Sequence, residues 1–229
     1  MTANGTWEDA RPGLAVPLHE FGARVLNGLV VSIALGFVDI ALFAPIRFAV
    51  LRSQATEASG SDWGWLLLGT VLDFAQLFVF AFVAIMFIFW LYHARLNLVH
   101  WGFAALKWGP GWALGGWFLP VANLIVPKLV VDTLWSASAV PLDQSWAQRR
   151  SSGLVWAWWL VFLGSIAGAV AFGGIPFSLS DPALLLVGLR ALATLPSMAA
   201  AVLAILVVRT ITLRQDARYA LHLPGRIPA

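Results

Sequence analysis

The sequence predicts an all-α integral membrane protein: a helical bundle with four transmembrane helices and one segment broken by Gly and Pro. Hydrophobic residues make up 60% of the 229 residues and charged residues only 11%, and the mean hydropathy is +0.83. A soluble domain carries about 25% charged residues, so this chain must place apolar surface against lipid. Cysteine is absent, which excludes disulfides and thiolate metal sites.

Four apolar runs predict the spans. The first follows an N-terminal segment, residues 1–24, that lacks the basic start and short apolar core of a cleavable signal peptide. At about 1.5 Å per residue, each run can cross a hydrocarbon core of about 30 Å. Together the runs define one membrane domain, 25–213, followed by a tail, 214–229. The predicted spans are 25–46, 63–92, 154–172 and 182–208.

Residues 108–127 are apolar but cannot form one straight helix, because seven of these 20 residues are Gly or Pro. In hydrocarbon, the backbone groups that such breaks release need partners from protein or water. We therefore expect a re-entrant or interfacial hairpin, with a docking or lipid-contact surface on it and on the helix that follows. The residues predicted for this surface are Trp108, Trp112, Trp117, Pro120, Asn123, Pro127 and Trp135.

Lys and Arg residues favour the cytoplasmic side of a membrane. With four spans and the N-terminus inside, 11 of the 14 basic residues are cytoplasmic. If residues 108–127 crossed as a fifth span and the N-terminus lay outside, the division would be 9 inside and 4 outside. We therefore expect four spans, with both the N-terminal segment and the tail in the cytoplasm.

Several short motifs between residues 90 and 137 carry a resemblance to a known family. They are Trp90–Asn97 (WLYHARLN), Pro110–Ala113 (PGWA), Gly116–Pro120 (GWFLP), Ala122–Leu124 (ANL), Pro127 and Leu134–Ala137 (LWSA). This pattern resembles a bacterial integral membrane family catalogued as domain of unknown function 4328. The chain departs from that pattern at His93 and Leu96, where the family has Arg, and at 125–126, where it has an aromatic residue and Arg. The resemblance implies a multi-pass protein of the bacterial inner membrane and implies no activity.

Three charged residues fall inside the predicted spans, where each costs about 2.5–3.5 kcal/mol at a helix centre. Asp39, Asp73 and Arg190 lie about 10–15 Å below the outer surface in the four-span topology. Each belongs to a helical stripe of small or polar residues, which lets helices approach closely. The stripes are Gly28, Ser32, Gly36 and Asp39; Gly69, Asp73 and Gln76; and Arg190, Thr194, Ser197 and Ala201. We expect the three charges and Gln76 to form a cluster that fixes helix register; the alternative is a proton or ion pathway.

Other features have ordinary structural interpretations. His93 and His100 lie seven residues apart on one helical face, where anchoring at the interface is favoured over a metal or haem ligand role. The 13 Trp residues concentrate near span ends, as in an aromatic belt, and the alternative is a pocket for a lipid, quinone or pigment. Gly164 and Gly168 give the third span a contact face for another helix.

No nucleophile elbow, zinc-protease, phosphate-loop or dinucleotide motif occurs in the sequence. We therefore expect a non-enzymatic accessory or scaffold subunit of a membrane assembly, without a metal and with any cofactor undetermined. Its partners would be membrane lipids and other membrane subunits, not nucleic acid, because the net charge is only +3. The alternative function is a small proton- or ion-coupled transporter or channel.

Overall fold

The computed structural model describes residues 14–43, 62–103, 108–139, 151–173 and 182–221. None of these residues forms a β-strand, which confirms the predicted all-α class. The helices are α1 (His19–Val38), α2 (Asp62–His100), α3 (Pro110–Gly115), α4 (Pro120–Asn123), α5 (Val126–Ala137), α6 (Gly153–Gly173) and α7 (Pro182–Leu221). A π-helical segment, Asp39–Phe43, continues α1.

Four of these helices are long and apolar enough to cross a membrane, as the sequence predicts. The qualifying stretches are His19–Ala41, Thr70–His100, Gly153–Val170 and Thr194–Leu221. Helix α7 continues to Leu221, well beyond the predicted end of the fourth span at 208. The two ends of the chain, 1–13 and 222–229, lie outside the described residues, so the predicted terminal segments stay predictions there.

The C-terminal end of α2 shows why that helix passes beyond the predicted span and then stops. His93 and Arg95 do not interrupt the helical hydrogen bonds, and α2 runs to His100. Gly102 then adopts a φ of 77°, which glycine reaches without steric cost. The Phe103 N–H donates to the Leu98 carbonyl at 3.0 Å and the Gly102 N–H to the Val99 carbonyl at 2.9 Å. These two bonds form a Schellman cap.

The segment 108–127 is broken, as predicted. It consists of α3, a turn, α4, a second turn and the start of α5, and a proline begins α3 and α4. Gly116 lies in the first turn, where a Cβ atom would be 2.8 Å from the Trp112 carbonyl oxygen and 3.0 Å from Val126 Cγ1. This close approach requires glycine and brings the start of α5 against the end of α3.

The chain divides into two compact units. Unit 1 comprises Met1–Asn27, Val83–Trp158 and Ala204–Ala229, and unit 2 comprises Gly28–Phe82 and Trp159–Leu203. Each of the four long helices therefore contributes residues to both units. The largest fully buried side chains among the described residues all belong to unit 1; examples are Trp90, Leu91, Val130 and Ile211.

Candidate functional site

Unit 2 contains a cavity of about 190 Å³ with a partly polar lining. Asp73 and Ser197 are exposed, so the cavity is open to its surroundings. Two helical irregularities adjoin it, because the π-helical segment starts at Asp39 and Pro196 lies inside α7. The lining residues are Leu35, Gly36, Asp39, Leu72, Asp73, Gln76, Ala169, Thr194 and Ser197.

Helix packing in unit 2 explains how these polar groups come together. A Cβ atom on Gly36 would lie 3.0 Å from Met198 Sδ, so glycine allows α1 to approach α7 closely. Gln76 Nε2 donates to Ser32 Oγ at 2.9 Å and joins α1 to α2. Proline in a helix interior removes one backbone hydrogen bond, and π-helical turns occur often at functional sites. The cavity therefore lies where two helices depart from regular geometry.

The structure brings three of the four residues of the predicted charge cluster to this one cavity: Asp39, Asp73 and Gln76. Position 190 lies in α7, but the Arg190 side chain is outside the described side chains. The predicted pairing of the two carboxylates with Arg190 therefore stays a prediction. The sequence interpretation missed two contributors, Pro196 and the π-helical segment. An interior proline can be recognised in a sequence, whereas a π-helical turn leaves no comparable signal.

Unit 1 contains a second polar site, here called the polar core, formed by Asn97, Ser138, Gln215 and the backbone of Val16. Asn97 accepts from the Val16 N–H at 2.9 Å and donates to the Val16 carbonyl at 2.8 Å and to Gln215 Oε1 at 3.2 Å. Gln215 Nε2 donates to Ser138 Oγ at 3.0 Å and to the Ala94 carbonyl at 3.1 Å. The three side chains are buried, and they fasten the chain before α1 to α2, α5 and α7.

Further hydrogen bonds surround the polar core. Trp90 Nε1 donates to Thr212 Oγ1 at 3.0 Å, and a Cβ atom on Gly22 would lie 2.9 Å from the same oxygen. The Leu18 N–H donates to Asp216 Oδ1 at 2.6 Å. These contacts hold the beginning of α1 and the C-terminal third of α2 against α7.

Two arginines of α7 bind the C-terminal end of α5. Arg214 Nη1 donates to the Trp135 carbonyl at 3.1 Å, and Arg218 donates to the Ala137 and Ala139 carbonyls at 3.0 and 3.2 Å. The last carbonyls of a helix lack intrahelical partners and carry partial negative charge. The two guanidinium groups therefore cap α5 both by hydrogen bonding and by charge.

The remaining buried cations of unit 1 also bind groups of their own chain. Arg95 Nε donates to the Trp108 carbonyl at 2.8 Å. Lys128 forms an ion pair with Asp132, donates to Ser151 Oγ at 3.0 Å and lies 3.7 Å from the centre of the Trp156 ring. These contacts fix the start of segment 108–127 on α2 and hold α5 beside the start of α6.

The residues predicted for docking or lipid contact have different surroundings. Trp112 and Pro120 are exposed, and Pro127 is buried. Trp117 packs edge-on against Phe87, with ring centres 5.9 Å apart. Trp108 packs edge-on against Trp112, Trp135 lies under Arg214, and Asn123 is half-buried. The predicted role of the set stays a prediction, and the exposed apolar residues of the segment are mainly others.

The two histidines have different surroundings in the described structure. His93 stacks on Phe21 with ring centres 4.5 Å apart, and His100 ends α2. Within the described ranges, no group of three or more His, Cys, Asp or Glu side chains could hold a metal ion.

The four apolar helices and the broken segment define a helical, multi-pass membrane protein class. A family model described as "Domain of unknown function (DUF4328)" matches residues 51–213. The chain belongs to this family, which confirms the resemblance carried by the motifs between residues 90 and 137. Neither a curated protein nor a solved structure matches the chain.

Proposed function

We propose that the protein is a non-enzymatic accessory or scaffold subunit of a membrane protein assembly. One observation supports this proposal: polar residues of the motifs that the chain shares with the family form hydrogen bonds to other groups of the same chain. Trp90 binds α7, Arg95 binds the Trp108 carbonyl, and Asn97 binds Val16 and Gln215. Because these polar groups hold the helices of the chain together, they specify a rigid framework. A subunit that positions other subunits requires such a framework.

One face of α6 supports a role in assembly. Gly36 lies against a side chain of its own unit, whereas a Cβ atom on Gly164 would meet no atom within 4 Å. Gly164 is exposed, and so are Leu160 and Ala167, three or four residues away on the same face. Small residues on a membrane helix let another helix approach closely, so this face suits a helix of a partner subunit.

The test compares Gly164→Leu with Gly36→Leu. We expect Gly164→Leu to shift the native complex in mild detergent to a smaller size while the melting temperature stays within about 2 °C of the parent. Gly36→Leu should lower the melting temperature, because Met198 occupies the space. Val170→Leu, at a position of α6 that is 75% exposed, is the control for an exposed leucine on that helix. A parent protein that purifies only as a monomer, in native membranes and in detergent, would contradict the assembly role.

We infer the topology and the location from charge. Six of the seven basic residues in the described ranges belong to unit 1: Arg24, Arg95, Lys128, Arg209, Arg214 and Arg218. Arg190 belongs to unit 2. Basic residues favour the cytoplasmic side, so the proposal places unit 1 and both termini at the cytoplasmic side of a bacterial inner membrane. A cytoplasm-active reporter fused to Ala229 should be active, and activity of a periplasm-active reporter there would favour five spans.

The cavity of unit 2 favours a second candidate function, a small proton- or ion-coupled transporter or channel. Its lining combines two carboxylates, an amide and two hydroxyl groups inside a bundle of apolar helices, and ionisable groups in such places often mark ion paths. Vesicles containing only the purified protein and a pH-sensitive dye would test this candidate. Proton or cation flux that Asp39→Asn and Asp73→Asn abolish, and that Arg209→Gln preserves, would support it; parent vesicles as tight as protein-free ones would oppose it.

A further inference from the structure

The segment 108–138, here called the hairpin, can be placed against α2, because residues of both belong to unit 1. Its start is fixed by the bond from Arg95 Nε to the Trp108 carbonyl. Trp117 contacts Phe87, eight residues nearer the N-terminus of α2. At about 1.5 Å per residue, the chain between Trp108 and Trp117 moves about 12 Å along α2.

The hairpin then returns to the level at which it began. Gln215 Nε2 donates both to Ser138 Oγ and to the Ala94 carbonyl, so Ser138 lies beside Ala94, one residue from Arg95. The two arms meet where Gly116 lies against Val126. Residues 118–125, here called the tip, lie beyond that meeting point. Phe87 is thirteen residues before the end of the apolar stretch Thr70–His100, so the tip is at the level of a membrane span.

The surface of the tip is apolar and uncovered within the described structure. Phe118 is 77% exposed and Val121 76% exposed, similar to Phe78 on α2 at 73%. Leu119, Leu124 and Ile125 are exposed as well. Residues 108–127 contain no charged side chain, and the polar residue of the tip, Asn123, is half-buried. Such a surface is compatible with acyl chains along its whole length.

Hydrogen bonds within the hairpin lower the cost of placing its backbone in hydrocarbon, where an unbonded N–H group costs several kcal/mol. Local turns satisfy six N–H groups on the two sides of Pro120. Gly116, Trp117 and Phe118 donate to the carbonyls of Trp112, Leu114 and Gly115. Asn123, Leu124 and Ile125 donate to the carbonyls of Leu119, Val121 and Ala122. Pro120 has no N–H group to satisfy.

We propose that the hairpin is a re-entrant lipid anchor whose tip inserts into the hydrocarbon of the leaflet in which α2 ends. Phe118 and Val121 contact acyl chains, while the ends of the hairpin at Trp108 and Ser138 remain at the level of Arg95 and Ala94. The occupant of the tip surface is lipid, because that surface continues, without charge, the exposed apolar surface of α2 at the level of Phe87. The proposal requires no partner subunit and does not depend on the proposed function.

The absence of cysteine allows a direct test with the full chain. Phe118→Cys and Val121→Cys would each carry a nitroxide label, in purified protein reconstituted into phosphatidylcholine and phosphatidylglycerol vesicles. Phe78→Cys is the control within a span, and Leu14→Cys, which is 56% exposed and precedes the apolar stretch His19–Ala41, is the control outside it. Power saturation would compare access of the labels to oxygen and to a water-soluble nickel chelate.

We expect an oxygen-to-nickel access ratio at both tip positions about tenfold above that at position 14 and close to that at position 78, because oxygen partitions into hydrocarbon and the chelate does not. High nickel access at the tip would place it in water and overturn the proposal. Low access to both reagents would mean that protein covers the tip and would overturn it equally. Quenching of a fluorophore on the same cysteines by lipids brominated in mid-chain gives an independent measurement, and an unchanged melting temperature confirms that each variant is folded.

Discussion

The two units contain similar polar side chains in different states. In unit 1, Asn97 and Gln215 are buried and hydrogen-bonded to each other and to the backbone. In unit 2, Asp73 is exposed and lines an open cavity with Asp39 and Gln76. A buried polar group that loses its partner costs more than one that can reach water. The comparison therefore separates a unit whose polar groups stabilise the fold from one whose polar groups remain accessible to a ligand.

The largest expected effect comes from replacing matched amides in the two units. Asn97→Leu removes a hydrogen-bond partner from Gln215 and from both the N–H and the carbonyl of Val16. The free energy of unfolding in detergent should therefore fall by about 3–5 kcal/mol. Gln76→Leu removes one bond to Ser32 and should cost about 0.5–1 kcal/mol. Thermal unfolding of both variants measures the difference, and equal losses would show that the units do not differ.

A second comparison concerns the cap of α5 within unit 1. Arg218→Leu removes the hydrogen bonds to the Ala137 and Ala139 carbonyls. Bonds to charged groups contribute about 1.5–3 kcal/mol each, and the cost of burying the guanidinium group offsets part of their sum, so a loss of about 2–4 kcal/mol is expected. Arg209 is exposed on the same helix, and Arg209→Leu should stay within about 0.5 kcal/mol of the parent. Similar melting temperatures for the two variants would rule out a structural role for the cap.

A third comparison uses two adjacent glycines of the hairpin. Gly116→Ala places a methyl group 2.8 Å from the Trp112 carbonyl oxygen and should destabilise by about 1–3 kcal/mol. Gly115→Ala meets no atom within 4 Å and should be neutral or stabilise by up to about 1 kcal/mol, because alanine favours helix. The reverse order in thermal unfolding would mean that the arms of the hairpin do not meet at Gly116.

The smallest effect tests whether the carboxylates of unit 2 interact. Asp39→Asn, Asp73→Asn and the double variant form a double-mutant cycle, and neighbouring charges should give a coupling of about 0.5–1 kcal/mol. Adding Arg190→Leu to the cycle extends the test to the predicted third member of the cluster. If the single effects add within about 0.3 kcal/mol, the two carboxylates act independently, and the cavity is no common site.

The sequence predicts the long helices well, because apolar length is what a membrane span requires. It predicts their ends less well. Helix α7 passes 208 and continues to Leu221, since the charged residues of its last part find partners on α5 and before α1, such as the Ala137 carbonyl and the Leu18 N–H. Those partners are distant in sequence, and no local pattern reveals them.

The sites show the same division between local and distant information. Helical spacing places Asp39 and Asp73 on stripes that do line one cavity. The spacing of residues around Asn97 gives no indication that its side chain binds Val16, which is 81 residues away. The sequence predicts the contact surface of the hairpin at four tryptophans together with Pro120, Asn123 and Pro127, and exposure adds Phe118 and Val121, the most exposed large residues of the hairpin. Trp117 packs edge-on against Phe87 of α2, a contact between residues 30 positions apart that no local pattern reveals.

The bond from the Leu18 N–H to Asp216 also has a consequence for biosynthesis. These residues are 198 positions apart, and a ribosome adds about 5–20 residues per second, so roughly 10–40 s pass between the synthesis of the one and of the other. During that interval the start of the first span is in the membrane without its final attachment. The last helix to be translated thus completes the fastening of the first, and a nascent chain interrupted before Asp216 holds the start of α1 through the bonds between Val16 and Asn97 but without the bond to Asp216.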